Sequence, residues 1–248
     1  MEKWVRRFHP APHAPARLVC LPHAGGSASF FFPVAKSLAP AAEVLAVQYP
    51  GRQDRRDEPV VDDIADLADQ ILDALRHLDD RPLALFGHSM GAVIGYEVAL
   101  RMTDAGMPAP TRLFASGRRA PSRDRAERVH QASDAELVSE LRTLGGVDAA
   151  MLADPEVLEM ILPAVRGDYR AVETYRHDPD RGLDCPITVL TGDNDPRVSL
   201  DEARAWAEHT TGPTDLQVLP GGHFFLVDQR DHVLEILRQE LSSMRIPT

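Results

Sequence analysis

Along the chain, short runs that are apolar at consecutive positions alternate with longer stretches in which apolar residues recur every three or four positions. The runs are RLVCLPH (17–23), EVLAVQYP (43–50), PLALFGHS (82–89), TRLFASG (111–117), PITVLTG (186–192) and DLQVLPG (215–221). Apolar residues fill them throughout, which is the pattern of strands covered on both faces. Between two of them, VDDIADLADQILDALRHL sets Val61, Ile64, Ala68, Ile71, Leu75 and Leu78 on one helical face. Such alternation predicts a mostly parallel α/β sheet flanked by helices, since each right-handed crossover must return over the sheet. Ligands in these folds bind beyond the carboxyl ends of the strands, so chemistry is sought just after each run.

The rhythm breaks between Arg118 and Asp184, where no strand pattern occurs. Ser133 and Glu136 form a capping-box pair ahead of Leu137, Val138, Leu141 and Leu144, and Gly145-Gly146 stops that helix. Asp154-Pro155 then supplies a cap and a first-turn proline for a helix to about His177, with Pro163 expected to kink it. Residues 118–184 are therefore expected to be a helical insertion within a single domain of residues 1–248. The proline-rich residues 10–15 read as an extended lead-in.

Composition narrows the function classes. A formal charge of −11 argues against nonspecific nucleic-acid binding, which rests on Lys and Arg neutralising phosphates. No apolar run approaches the roughly 20 residues of a membrane helix, and the first residues lack a signal-peptide core, so a cytoplasmic protein is expected. Cys20 and Cys185 have neither C-x-x-C nor zinc spacing and read as buried free thiols. No phosphate loop or metal motif is present in the sequence.

Chemistry concentrates in LALFGHSMGAVIG, where Ser89 sits in G-x-S-x-G after a predicted strand and before a predicted helix. This is the nucleophile-elbow context, in which small neighbours permit a sharp turn that exposes the hydroxyl. A serine hydroxyl needs a base to take its proton. Of the late histidines, His209 and His232 lie in helical patterns, whereas His223 follows a strand in LPGGHFF. The acid that orients the base is sought in TGDNDPRVS, where Asp193 and Asp195 both follow a strand. The general pattern of such folds favours Asp195, beyond the turn that Gly192 begins, with Asp193 bonding that turn's own backbone. A developing oxyanion requires two backbone donors: the amide of Met90, after the nucleophile, and that of Ala24 in LPHAGG.

LPHAGGSASFF, VQYPGRQDR, LFGHSMGA, ASGRRAP, LPAVRGDYRAVETYR, TGDNDPRV and LPGGHFF occur in this order over essentially the whole chain. With them the sequence resembles the type II (editing) thioesterases of polyketide and nonribosomal peptide synthesis. The resemblance implies an α/β-hydrolase core with a mobile helical lid, a triad of Ser89, Asp195 and His223, and oxyanion amides from Ala24 and Met90. It also implies hydrolysis of acyl groups from the phosphopantetheine arm of acyl or peptidyl carrier proteins, clearing aberrant or stalled units, with no cofactor. A free-standing monomeric hydrolase is expected. The alternatives are a general carboxylesterase or lipase on the same fold, an excised terminal domain that cyclises its product, and an inactive hydrolase-like binding protein. Leu158, Met160, Ile161, Leu162, Val165 and Tyr169 are expected either to line an acyl chamber or to pack on the core. Arg118, Arg119, Arg123, Arg125 and Arg128 read either as a docking patch for an acidic carrier or as a solvated face.

Overall fold

The computed structural model describes residues 3–78, 80–146 and 150–244. Seven strands form one sheet: β1 (Val5–Arg6), β2 (Arg17–Leu21), β3 (Glu43–Val47), β4 (Leu83–His88), β5 (Arg112–Ser116), β6 (Ile187–Gly192) and β7 (Thr214–Leu219). Their order is β1-β3-β2-β4-β5-β6-β7; β1 runs antiparallel to β3, and every other pair is parallel. The two-residue β1 carries too short a pattern to be read from sequence.

Side chains alternate across the sheet and so fill two cores. Val19, Leu21, Leu45, Leu85 and Leu113 face one side, where α2 (Ile64–Leu75) and α3 (Met90–Asp104) pack. Leu18, Cys20, Val44, Phe86 and Phe114 face the other, against α1 (Phe32–Leu38) and α8 (Arg230–Ser242). Because both faces are covered, β2, β3, β4 and β6 are buried at every residue. The edge strand β7 departs from the expected burial: only Leu219 is buried, and Val218 is 42% exposed. Position in the sheet, which its apolar composition does not encode, decides this. Both cysteines are buried and free.

Between β5 and β6 the described residues hold no strand. Instead α4 (Asp134–Leu144) and α5 (Pro155–Thr174) cross the carboxyl end of the sheet. The α4 capping box of Ser133 and Glu136 is complete, and Gly145 closes the helix at a φ of 80°. Asp154 caps α5 through the amides of Glu156 and Val157, and the helix runs on through Pro163 to Thr174. Leu137, Val138, Leu141, Leu152, Leu162 and Val165 form a small separate cluster, whereas Ala171 and Val172 of α5 join the main core. Two short helices, α6 (Leu200–Arg204) and α7 (Phe225–Asp228), follow β6 and β7. No helix of the described residues is long and apolar enough to cross a membrane.

Candidate active site

Ser89 occupies the turn between β4 and α3 with φ 54° and ψ −115°, a left-handed region that a residue with a side chain adopts only under strain. Its neighbours explain why two glycines flank it. A Cβ on Gly87 would stand 2.1 Å from the Gly91 carbonyl oxygen, and one on Gly91 would stand 2.0 Å from that of Leu21. Only hydrogen fits either place. The half-buried hydroxyl is thereby held above the carboxyl end of the sheet, and the Ser89 amide donates to the Ser116 carbonyl at 2.8 Å.

Loops after β6 and β7 bring Asp195 and His223 to this turn. His223 Nε2 lies 3.0 Å from Ser89 Oγ, and its Nδ1 lies 2.9 Å and 3.1 Å from the two oxygens of Asp195. The Asp195 carboxylate accepts the Nδ1 proton, leaving Nε2 to accept from the serine hydroxyl. Asp195 is fully buried at its side chain and also accepts from the Arg197 amide at 2.8 Å. Asp193 has a different task from the one expected of it. Its Oδ1 accepts from the Gly221 amide at 2.9 Å, tying its loop to the one that carries His223.

Ala24 and Met90 line the same cavity as Ser89 and His223, and neither backbone amide has an acceptor among the described residues. The Ala24 loop is fixed from two sides. Within it, the Gly26 amide donates to the His23 carbonyl at 2.9 Å. From outside, fully buried Asp168 on α5 accepts from the Gly25 amide at 2.7 Å and takes Arg52 in a bidentate pair at 2.5 and 2.8 Å. Burial works against the Arg52 charge, but Asp168 overcomes it and leaves that guanidinium above the usual arginine range. Sequence reasoning reached Arg52 and Asp168 only as letters within motifs.

His23 and His88 pack beside His223 among Phe30 and Phe224. Burial, reinforced by the proximity of His223, drops the His23 imidazole to about 3 and holds His88 well below the ordinary value. Both are therefore neutral at neutral pH. The His88 ring is further held by Ser116, whose Oγ lies 3.0 Å from Nδ1.

The cavity at Ser89, of about 50 Å³, is walled by Leu141, Leu144, Tyr169, Val172 and Val198, with Arg118 among the lining groups. Of the six residues expected to line an acyl chamber or pack on the core, Leu158, Met160, Ile161, Leu162, Val165 and Tyr169, only Tyr169 reaches it. Met160, Ile161 and Val165 line a second, open groove of about 680 Å³ that runs past Gly25, Gly26 and Arg52 and shares His23 and Gly146 with the first. The arginine run also departs from a uniform surface patch. Arg119 is buried and pairs with Glu127, Arg123 pairs with Glu208, and Arg125 pairs with Glu202. Only Arg128 is left exposed. The acidic residues that pair with Arg119, Arg123 and Arg125 lie 8 to 85 positions away, out of reach of a local sequence pattern.

Comparison with known proteins gives the family. A thioesterase-domain profile matches residues 16–241. The chain belongs to the thioesterase family. A probable cadicidin biosynthesis thioesterase of Streptomyces griseus is 54% identical over 96% of this chain and 66% of its own length. The gramicidin S biosynthesis protein GrsT of Aneurinibacillus migulanus is 32% identical over 100% of this chain and 97% of its own. Among solved structures, the type II thioesterase BorB from the borrelidin biosynthetic cluster superimposes with a TM-score of 0.90 at 54% identity, covering 96% of this chain and 97% of that one. The fold is accordingly that of the α/β-hydrolase-type thioesterases, and the chain is a thioester hydrolase.

Proposed function

We propose that this thioesterase hydrolyses acyl groups from the phosphopantetheine arm of acyl or peptidyl carrier proteins, clearing aberrant or stalled units during polyketide or nonribosomal peptide synthesis. The observation that carries the reading is His223 bridging Ser89 and Asp195 in a cavity lined by the unengaged amides of Ala24 and Met90. Relatives and neighbours named for such pathways support the substrate class.

In this mechanism Ser89 Oγ attacks the thioester carbonyl as its proton passes to His223 Nε2. The Asp195 carboxylate stabilises the imidazolium, and the Ala24 and Met90 amides receive the oxyanion. Collapse expels the thiolate, which takes the proton from His223, and leaves a Ser89 ester. Water then attacks that ester with His223 as base, and the free acid departs as the Ser89 hydroxyl is restored. The 680 Å³ groove, half apolar and half polar in its residues, suits the long arm, and residues 118–184 act as a lid over the acyl group.

The test is mass spectrometry of a panel of acylated carrier proteins followed over time with the enzyme, alongside matched oxygen esters. Faster release from the carrier thioesters is expected, with mass equal to the free acid. Preference for the oxygen esters would replace this reading with a general carboxylesterase, and a product lighter by water would indicate cyclisation.

A further inference from the structure

Arg118 is a half-buried cation that the mechanism leaves without a task. Its backbone is fixed, since the Arg118 carbonyl accepts from Trp206 Nε1 at 2.8 Å. Its side chain lines the cavity that holds Ser89 and His223, and it also lines an adjoining cavity of about 230 Å³, so it forms part of the wall between them. Its Nε is buried with no hydrogen-bond partner, and no carboxylate among the described residues is in ion-pair contact with its guanidinium. A guanidinium donor shielded from water and left without an acceptor is costly until an acceptor reaches it.

The nearby carboxylates are already engaged. Glu127 holds both Arg119, at 2.6 Å, and Arg197, at 2.9 Å, and Arg197 also takes Glu140. Glu173 accepts from the amides of Val129 and His130, at 2.8 and 3.0 Å, and from His130 Nδ1. Burial, helped by neighbouring Arg119, lowers the Arg118 guanidinium to about 9, which still leaves it charged at neutral pH. The cavity wall around it combines the aliphatic Leu141, Leu144, Val172 and Val198 with Arg119, Glu127, Glu173 and Arg197, whose charges are engaged with one another or with His130. The one guanidinium of this wall whose donors are unspent among the described residues, beside the nucleophile, is a recognition element for an oxygen that arrives with the substrate.

Resting on the thioesterase reading above, we propose that Arg118 is a specificity-determining residue whose guanidinium receives an oxygen acceptor on the acyl chain beyond the thioester carbonyl. Oxygenated acyl groups are then hydrolysed in preference to saturated ones of the same shape. The acceptor comes either from a neutral hydroxyl or carbonyl or from a carboxylate.

Three N-acetylcysteamine thioesters of nearly equal size separate these sources without involving a carrier: 3-methylbutanoyl, 3-hydroxybutanoyl and malonyl. For wild type, kcat/KM is expected to favour at least one oxygenated substrate over 3-methylbutanoyl by roughly 10- to 100-fold, the range for hydrogen bonds to a charged group. If malonyl is the faster of the two, the acceptor is a carboxylate; if 3-hydroxybutanoyl is, it is a neutral oxygen. Arg118→Met should bring the ratio of oxygenated to 3-methylbutanoyl turnover to near one, and Arg118→Lys should restore part of it. A wild-type ratio near one overturns the proposal even if the Met variant fails to fold, as does a ratio unchanged by Arg118→Met. Failure to hydrolyse all three thioesters and every acylated carrier would instead sink the thioesterase reading itself.

Discussion

The loops at the carboxyl edge of the sheet and the helical segment above them are built on different principles. The loops carrying Ser89, Asp195 and His223 each leave a strand whose residues are packed from both faces, except His223, whose strand lies at the sheet edge. That exception is compensated by Asp193, which ties the His223 loop to the neighbouring one. The helical segment, by contrast, rests on a six-residue apolar cluster of its own and leaves Met151 and Met160 exposed. Within it, the second half of α5 is part of the main core, through Ala171, Val172 and the buried Asp168. The segment is therefore two things in sequence: a lightly packed front and a back wall continuous with the scaffold. The hydrogen-bonded trio of Ser89, His223 and Asp195 sits on the densely packed partner, and residues of α4 and α5 wall the cavity beside it.

This contrast can be broken most severely at the rigid edge. Ser89→Ala is expected to lower kcat for a thioester by roughly 10⁴-fold or more while leaving the melting temperature nearly unchanged, because only an oxygen is removed. Parallel kinetics and thermal melts check it; undiminished turnover would show that the nucleophile lies elsewhere. At the back wall, Asp168→Ala strands the buried Arg52 charge and should cost about 3–5 kcal/mol of stability by denaturant unfolding. A loss below about 1 kcal/mol would place Asp168 with the lightly packed half, against the division drawn above.

Acid should expose a third difference. His23 and His209 fall in the folded protein to about 3 and about 4, in both cases chiefly through burial, against an ordinary 6.5. Below 6.5 the unfolded chain binds protons that the folded one refuses, so stability is full above that pH and declines as pH falls towards 4. The expected slope is about 1.4 kcal/mol per pH unit for each such histidine. Melting curves from pH 7 to 4.5 report it, and His209→Gln should flatten them; a flat wild-type profile would refute the assignment. The smallest effect is expected at the front of the segment, where Met160 is 58% exposed. Met160→Lys should change unfolding free energy by no more than about 0.5 kcal/mol, and a larger loss would mean that the front is packed more tightly than its cluster implies.

What the sequence makes legible follows from the range of the forces involved. The both-face burial of β2 to β6 is written locally as unbroken apolar runs, and the Ser133 and Asp154 caps are written within three residues of the helices they start. The positions of Ser89, Asp195 and His223 can be read from the glycines and strand ends beside them, and the structure brings the three within hydrogen-bond distance. Long-range pairings are not legible in this way. Arg118 and Arg119 look like members of a surface run, yet both line the Ser89 cavity, and Arg119 is buried against Glu127. The neutrality of His23 and His88 likewise depends on aromatic rings that arrive from distant positions.

The bond between Asp168 and the Gly25 amide has a consequence for how substrate occupancy is sensed. One carboxylate holds, at once, a helix that lines the Ser89 cavity and the residue next to the Ala24 amide. Filling that cavity and aligning that amide are thus linked equilibria sharing one strut. Under the mechanism proposed above, an acyl group that displaces α5 would displace the Ala24 donor with it, tying fit to rate through the same carboxylate.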